Sequence, residues 1–245
     1  RSWAVNAGSA EPADMALLAE LEETHSQLTH NNQQPQGTLK LSVPMDFGYL
    51  HLSPALPLFR ERYPDLKLEI EYSDRRVALV EEGFDLALRI GNLPDSSLVA
   101  KPLAMMKMVV CASPDYLARR GRPKTPEDLK QHDCLIYTLT QPDWVFKRDG
   151  EEHSIRPQGP LRANNGVALT RAACDHQGII LQPTFIVGDA LRSGALVPLL
   201  LEWEKGQVGL YALYPHRRFV SAKVRCFIEF VQERYLAPHY WDRET

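Results

Sequence analysis

The sequence predicts an α/β protein made of two lobes with a ligand-binding cleft between them. Strand-like and helix-like patterns alternate along the chain, as in parallel sheets with right-handed crossovers, and this alternation occurs twice. The length of 245 residues exceeds the roughly 100–150 residues of a typical domain. In such sheets, ligands bind beyond the carboxyl ends of the strands. We therefore expect a small molecule to bind where the two lobes meet.

Composition and charge exclude several classes of protein. Hydrophobic residues make up 44% and charged residues 24% of the chain, as in globular proteins, and no apolar run approaches the about 20 residues of a membrane helix. The formal net charge of −3 lacks the basic excess of a nucleic-acid-binding surface. We expect no membrane insertion and no direct DNA contact by this chain. The absence of an export signal and of an initiator methionine favours a fragment of a cytoplasmic protein.

The chemically reactive residues show no catalytic or metal-binding pattern. The four cysteines, Cys111, Cys134, Cys174 and Cys226, lie far apart in the sequence and are predicted to be buried free thiols. None of the eight histidines has a histidine or cysteine three or four positions away, as a zinc site would require. Nucleophile-elbow, Walker and paired-carboxylate signatures are missing. The sequence predicts no enzyme, no metal and no cofactor.

The first predicted element is a short amphipathic helix. Leu17, Leu21, Thr24 and Leu28 recur with spacings of four, three and four, which places them on one face of a helix. Because this seam covers only about two heptads, the helix needs a partner to be stable. The polar run Thr29 to Gly37 that follows is typical of a linker.

The first lobe follows from hydrophobic periodicity and from residues that begin or end helices. A strand is predicted over 38–43, where every second residue is apolar, and a loop over 44–48. Ser53 is expected to cap the next helix, because Pro54 then takes the first helical position that proline favours. The remaining elements predicted for this part of the chain are a strand over 66–72, a short helix over 75–82 that Gly83 ends, and a strand over 85–90.

The second lobe shows the same kinds of signal. Asn165 is expected to cap a helix that runs to Asp175, and Gly178 to end it, because these residue types favour those positions. The other elements predicted, in order, are short helices over 114–120 and 126–130, a strand over 134–137, a hairpin of 143–146 with 153–156, a strand over 179–181, a strand over 208–214 and a final helix over 221–235.

Several segments resemble, in order and spacing, the effector-binding domain of LysR-type transcriptional regulators. The resemblance extends from Thr38 to Ala237. The segments that carry it are GTLKLSVP at 37–44, PALPLF at 54–59, EGFDLALRIG at 82–91, ASPDYL at 112–117, GRP at 121–123, TPEDL at 125–129, HDC at 132–134, NN at 164–165 and GI at 178–179.

The resemblance implies a two-lobed fold like that of type 2 periplasmic binding proteins. It divides the chain into a linker region over 1–36, lobe I over 37–110 and 207–245, and lobe II over 111–206. It also implies a regulatory function: a small-molecule effector binds between the lobes and alters a homodimer or tetramer. DNA is then contacted only through an N-terminal winged helix-turn-helix that this chain lacks. The alternative is the solute-binding protein of a transporter, which shares the architecture.

Effector contacts are expected at the cleft ends of strands and in the loops that follow them. Each of several residues has an alternative role that is purely structural. In those alternatives Ser73, Asn164 and Asn165 cap helices. Arg89 pairs with Asp85 or Glu82, and Thr138 lies in a solvated loop. A buried glutamine needs polar partners, which favours a position at the cleft for Gln182. The predicted contacts are Pro44, Met45, Asp46, Phe47, Ser73, Arg89, Ile90, Thr138, Asn164, Asn165 and Gln182.

Two further expectations concern the ligand and the assembly. At the loop position where members of that family often present serine or threonine to an effector carboxylate, this chain has Met45 and Asp46, and an ionised Asp46 would repel a carboxylate unless Arg89 compensates. We therefore expect a ligand with an amine or several hydroxyls there, with Met45 and Phe47 as apolar contacts. The alternative is that Asp46 only caps the helix after its loop. The helix over 54–62 and the strand over 66–72 match the surface through which family members pair, which predicts a homodimer.

Overall fold

The structure is a computed structural model that describes residues 35–91, 98–215, 220–235 and 239–242. The amphipathic helix predicted between Leu17 and Leu28 lies outside these residues, as does most of the polar linker. Within the described part of the chain, no helix has the length and apolar character required to cross a membrane.

The order of elements is the α/β order that the sequence predicts, except between residues 72 and 86, where no helix separates two strands. The strands are β1 (Gly37–Val43), β2 (Leu66–Tyr72), β3 (Leu86–Ile90), β4 (Leu98–Ala112), β5 (Ile136–Tyr137), β6 (Trp144–Arg148), β7 (Glu151–Ile155), β8 (Arg162–Ala163), β9 (Ile180–Pro183), β10 (Val197–Leu199) and β11 (Gln207–Pro215). The α-helices of seven residues or more are α1 (Ser53–Arg62), α2 (Pro114–Arg120), α3 (Gly166–Cys174), α4 (Thr184–Arg192) and α5 (Ala222–Arg234). Short 3-10 helices occupy Pro126–Gln131 and Tyr240–Asp242.

The first lobe is built on a sheet whose strands follow the order β2, β1, β3, β11, β4. Strands β1, β2 and β3 are parallel, and β11 is antiparallel to β3 and β4. Leu39, Leu41 and Val43 are fully buried, which confirms the predicted apolar face of β1. Phe59 of α1 packs edge-on against Phe227 of α5, so the two helices share the core of this lobe.

The long strand β4 belongs to both lobes. Its first part pairs with β11 as far as Lys107, and from Met108 it pairs with β9 and β10 instead. Because one continuous strand changes partners there, the backbone passes from one sheet region to the other without a loop. The second region buries a separate core, which includes Leu169 of α3 and Val187 of α4.

The helical stretch after β1 begins earlier than the sequence predicts. A loop is expected over 44–48, but Met45–Phe47 is helical and continues through a π-helical turn, Gly48–Leu52, into α1. A Cβ atom at Gly48 would lie 2.6 Å from the ring of Tyr72, so only glycine lets this turn lie directly against the sheet. The Ser53 hydroxyl donates to the Gly48 carbonyl at 3.0 Å and caps no helix.

The predicted helix over 75–82 is absent, and turns replace it. The Glu82 carboxylate accepts the Ala78 N–H at 2.9 Å and also binds the Arg75 guanidinium. These side-chain bonds stabilise a compact turn in place of the regular backbone ladder of a helix. The other predicted elements within the described residues are present with shifted ends, which is where periodicity is least informative.

Candidate functional site

The carboxylate of Asp46 lies at the junction of the two lobes and is nearly buried, with 9% of the residue exposed. One oxygen, Oδ1, accepts the side-chain N–H of Asn165 at 2.7 Å. The other, Oδ2, accepts the backbone N–H groups of Gly166 at 2.7 Å and Val167 at 3.3 Å. Asp46 comes from the first lobe and its partners from the second, so this contact joins the lobes.

We call these three donors the cradle: the Asn165 side-chain amide and the backbone N–H groups of Gly166 and Val167. They stand at the start of α3, where backbone N–H groups have no partner within the helix and the helix dipole is positive. Asn165 also caps α3, because its Oδ1 accepts the Ala168 N–H at 2.7 Å. The predicted capping role of Asn165 is thus confirmed, and its amide nitrogen is left to bind Asp46.

Asp46 does not cap the helix that follows its own loop, contrary to one of the two sequence-based alternatives. It caps α3 of the opposite lobe, 120 positions away. The other alternative, a ligand amine or hydroxyl against Asp46, stays a prediction; in the structure the carboxylate accepts the three N–H donors of the cradle. The reason is that Met45–Phe47 is itself helical, which turns the Asp46 side chain toward the second lobe.

Gln182 lies beside the cradle. It is 3% exposed, and its Nε2 has no hydrogen-bond partner among the described residues. A Cβ atom at Gly166 would lie 2.8 Å from Gln182 Oε1 and 3.1 Å from Asp46 Oδ2. The lack of a side chain at Gly166 therefore lets the glutamine amide and the carboxylate approach the same point of the helix backbone.

Two cleft residues were missed by the sequence analysis, Asp74 and Tyr137. Asp74 Oδ1 accepts the Met45 N–H at 3.2 Å, and burial raises the pKa of this carboxyl, an effect that nearby Asp46 increases. Burial also raises the pKa of Tyr137, and Asp74 and Asp46 add to this. Both residues follow or end a strand, so the rule that ligands bind at strand ends could have identified them.

Arg89 stabilises the scaffold rather than pairing with Asp85 or Glu82. Its guanidinium donates to Ser42 Oγ at 2.8 Å and to the carbonyls of Leu88, Ser42 and Arg75. Asp85 instead binds Lys223 at 2.8 Å. The prediction of these acidic partners was wrong, because the side chain of Arg89 runs toward β1 and the turn after β2.

Phe47 lies in the core, not on the open surface of the cleft. It is fully buried, and its ring packs edge-on against Phe185, Tyr235 and Trp241. This aromatic cluster also holds His51, whose Nε2 lies 2.7 Å from the Phe185 carbonyl oxygen. The cluster is thus a second contact between the lobes, and Phe47 contributes to it by packing.

The remaining predicted residues occupy varied positions: Pro44 is buried, Met45 is exposed, Ser73 and Ile90 are half-buried, and Thr138 and Asn164 are exposed. The Ser73 hydroxyl accepts the Arg75 N–H at 3.3 Å, but turns follow it in place of a helix that it could cap. The backbone N–H of Thr138 donates to the Ala163 carbonyl at 2.9 Å, and the residue is exposed to solvent.

Comparison with known proteins shows one consistent similarity. Residues 32–236 match the family described as the LysR substrate binding domain. A curated relative from Haemophilus influenzae, an uncharacterized HTH-type transcriptional regulator, is 38% identical over 210 residues, which cover 85% of this chain and 73% of the relative.

Solved structures show the same similarity. The regulatory domain of CrgA from Neisseria meningitidis, a LysR-type transcriptional regulator, is 33% identical with a TM-score of 0.72, covering 81% of this chain and 98% of that one. The full-length Vibrio cholerae virulence activator AphB is 29% identical with a TM-score of 0.73, covering 89% of this chain and 75% of that one.

Proposed function

This chain belongs to the LysR family and is the effector-binding domain of a LysR-type transcriptional regulator, and from that premise we propose how it senses its effector. A small polar molecule binds between the lobes, in contact with the cradle, Gln182, Asp74 and Tyr137. Its affinity differs between the open and closed arrangements of the lobes, so binding shifts the population between them.

Polar side chains from both lobes converge on one partly buried place, and this convergence supports the proposal. Asp46 and Asp74 come from the first lobe, and Asn165 and Gln182 from the second. Buried polar groups need partners, and the Gln182 amide nitrogen has none among the described residues. A ligand held there would contact both lobes at once, which is what a sensor of lobe movement requires.

The division into lobes remains part of the proposal. We assign residues 37–110 and 207–245 to lobe I and residues 111–206 to lobe II. The change of partners along β4, between Lys107 and Met108, supports the first boundary to within a few residues. The start of β11 at Gln207 supports the second.

DNA contact and assembly are proposed from the family. A winged helix-turn-helix N-terminal to this chain would contact DNA in the cytoplasm, and a homodimer or tetramer would transmit the lobe movement to it. The relatives named as HTH-type regulators support this interpretation and disfavour the solute-binding protein of a transporter.

The test is calorimetric titration of the chain with panels of small amines, polyols and carboxylates. We expect at least one compound to bind saturably and to bind Gln182→Leu about tenfold more weakly, the effect of one lost hydrogen bond. Leu201→Ser is the matched control, because Leu201 lies in the second lobe and is 73% exposed. Equal binding by Gln182→Leu and the wild type would place the effector elsewhere.

A further inference from the structure

Residues 239–242, which we call the strap, connect the two lobes through side-chain and backbone contacts. The strap follows α5 of the first lobe along the chain. His239 Nε2 lies 2.9 Å from the carbonyl oxygen of Met105, in the part of β4 that pairs with β11. The Trp241 carbonyl oxygen accepts a hydrogen bond from Arg192 Nη1 at 3.1 Å, and Arg192 is the last residue of α4 in the second lobe. The strap is therefore held by both lobes.

The ring of Trp241 fills part of the junction between the lobes. Trp241 is only 1% exposed, and it stacks on His239 of the strap with ring centres 4.8 Å apart. Its other ring neighbours are Phe47, His51 and Tyr235 from the first lobe and Phe185 from the second. Large aromatic rings contribute strongly to packing when they are buried. Separation of the lobes would expose this ring to water, which is unfavourable.

Gly188 gives independent evidence that α4 receives the strap. It lies in the middle of the helix Thr184–Arg192, where glycine is less favourable than alanine because it has more backbone freedom to lose. A Cβ atom at Gly188 would lie 2.7 Å from the carbonyl oxygen of Trp241, closer than the two atoms can pack. The absence of a side chain at Gly188 is therefore unfavourable for the helix itself and is required by the strap.

We propose that the strap is a releasable lock on the movement of the lobes. Docked, it holds the arrangement in which Asp46 of the first lobe binds the start of α3 in the second. Released, it lets the lobes separate, because its hydrogen bonds and the burial of Trp241 no longer oppose that movement.

The lock goes beyond the proposed function, and only its consequence for sensing rests on that function. An effector that both lobes hold should bind more weakly to a chain whose strap is released. The reason is that a smaller fraction of the molecules then has the arrangement that binds the effector.

The strap can be released without unfolding of the domain. Its last three residues form a single 3-10 turn, Tyr240–Asp242, and a turn of this length is not stable by itself. The order of the strap thus depends on its contacts with the two lobes. Native proteins open locally in such places at a lower free energy than global unfolding requires. Release of the strap is therefore a local opening of the folded chain.

Hydrogen exchange followed by mass spectrometry tests the lock in two variants. Trp241→Ala removes the ring that joins the lobes, and Gly188→Ala places a methyl group where the strap docks on α4. We expect the amides of the strap and of α4 to exchange about tenfold faster in both variants, because exchange reports the equilibrium of local opening. Small-angle scattering should show a larger radius of gyration for both variants than for the wild type.

Trp144→Ala is the matched control. Trp144 is 7% exposed and lies in β6, within the second lobe, so the same substitution there removes a buried indole away from the lobe junction. It should lower the stability of the protein but leave the exchange of the strap and the radius of gyration unchanged. If Trp241→Ala does not fold, Gly188→Ala keeps the test decisive, because it leaves every ring of the aromatic cluster in place.

Two results would overturn the lock. In the first, Gly188→Ala unfolds at a higher denaturant concentration than the wild type and its strap exchanges at the wild-type rate, as expected for a helix that receives no strap. In the second, both variants release the strap while the radius of gyration stays that of the wild type.

The consequence for sensing is tested separately. A compound that binds the wild type between the lobes should bind both variants about tenfold more weakly, and equal binding would overturn the coupling between the strap and the effector. If both variants release the strap and enlarge the radius of gyration while no compound of the panels binds the wild type, the lock stands and the proposed sensing function fails.

Discussion

At the scale of single residues, His51 shows how burial near the lobe junction changes the chemistry of a side chain. Burial lowers the pKa of His51, although the Phe185 carbonyl and Asp189 oppose the effect. The ring therefore stays neutral in the folded protein at a pH where it is protonated in the unfolded chain. Stability depends on pH wherever the two states bind different numbers of protons.

The sign of this dependence gives the first prediction. At a pH near 6.5, the unfolded chain binds more protons at His51 than the folded chain does. The contribution of His51 to the free energy of unfolding is therefore fully present above the unfolded pKa of about 6.5 and is lost as the pH falls toward the lower folded pKa. We expect the urea concentration at the unfolding midpoint to decrease when the pH is lowered from 7 to 5. This decrease should be smaller in His51→Phe. His153→Gln, on the surface hairpin, is the control. A His51→Phe variant with the full wild-type slope would contradict the prediction.

At the scale of elements, the second prediction concerns Gly48 in the π-helical turn. In Gly48→Ala the new Cβ atom would lie 2.6 Å from the Tyr72 ring and 2.8 Å from Val43. Because the sheet and the turn must then separate, we expect a loss of about 1–3 kcal/mol in the free energy of unfolding, as for other overpacked sites. Denaturant titration measures the loss. Tyr49→Ala, in the same turn but 70% exposed, should change stability little.

The third prediction concerns the cap of α3. Asn165→Ala removes the bond to the Ala168 N–H and the bond to Asp46, so we expect a loss of about 1–2 kcal/mol in the free energy of unfolding, at the upper part of the range for a helix cap. Ser113→Ala, which removes the cap of α2, is a control within one lobe. Only Asn165→Ala should also enlarge the radius of gyration. The same radius for both variants would show that Asn165 has no role in holding the lobes.

At the scale of the whole molecule, the fourth prediction concerns assembly. Strand β2 lies at the edge of the sheet, where unpaired backbone N–H and C=O groups can pair with another chain. Leu58 on the neighbouring helix α1 is 49% exposed. We expect a homodimer through α1 and β2, and we expect Leu58→Glu to weaken it by about tenfold or more, as for a central interface residue.

Analytical ultracentrifugation at micromolar concentration checks this prediction. Leu201→Glu introduces the same charge at an exposed leucine of the second lobe and should leave the dimer intact. A wild-type chain that sediments only as a monomer would count against the proposed interface.

The α/β class, most of the elements and the family could all be predicted from local patterns in the sequence. Alternate apolar residues bury one face of β1. Asn165 caps α3, the helix that begins at the next residue. Such patterns fail where side chains compete with the backbone, as Glu82 does in the turn that was predicted to be a helix.

The roles of Asp46, Arg89, Phe47 and Gln182 emerge only from long-range packing. Their partners lie far away in the sequence: Asp46 binds Gly166 from 120 positions away, and Arg89 binds Ser42 from 47. The spacing of residues along a chain carries no information about which side chain of one lobe meets which N–H group of the other. The packing of the two sheet regions and their helices determines this contact, and this packing places the Asp46 carboxylate at the start of α3.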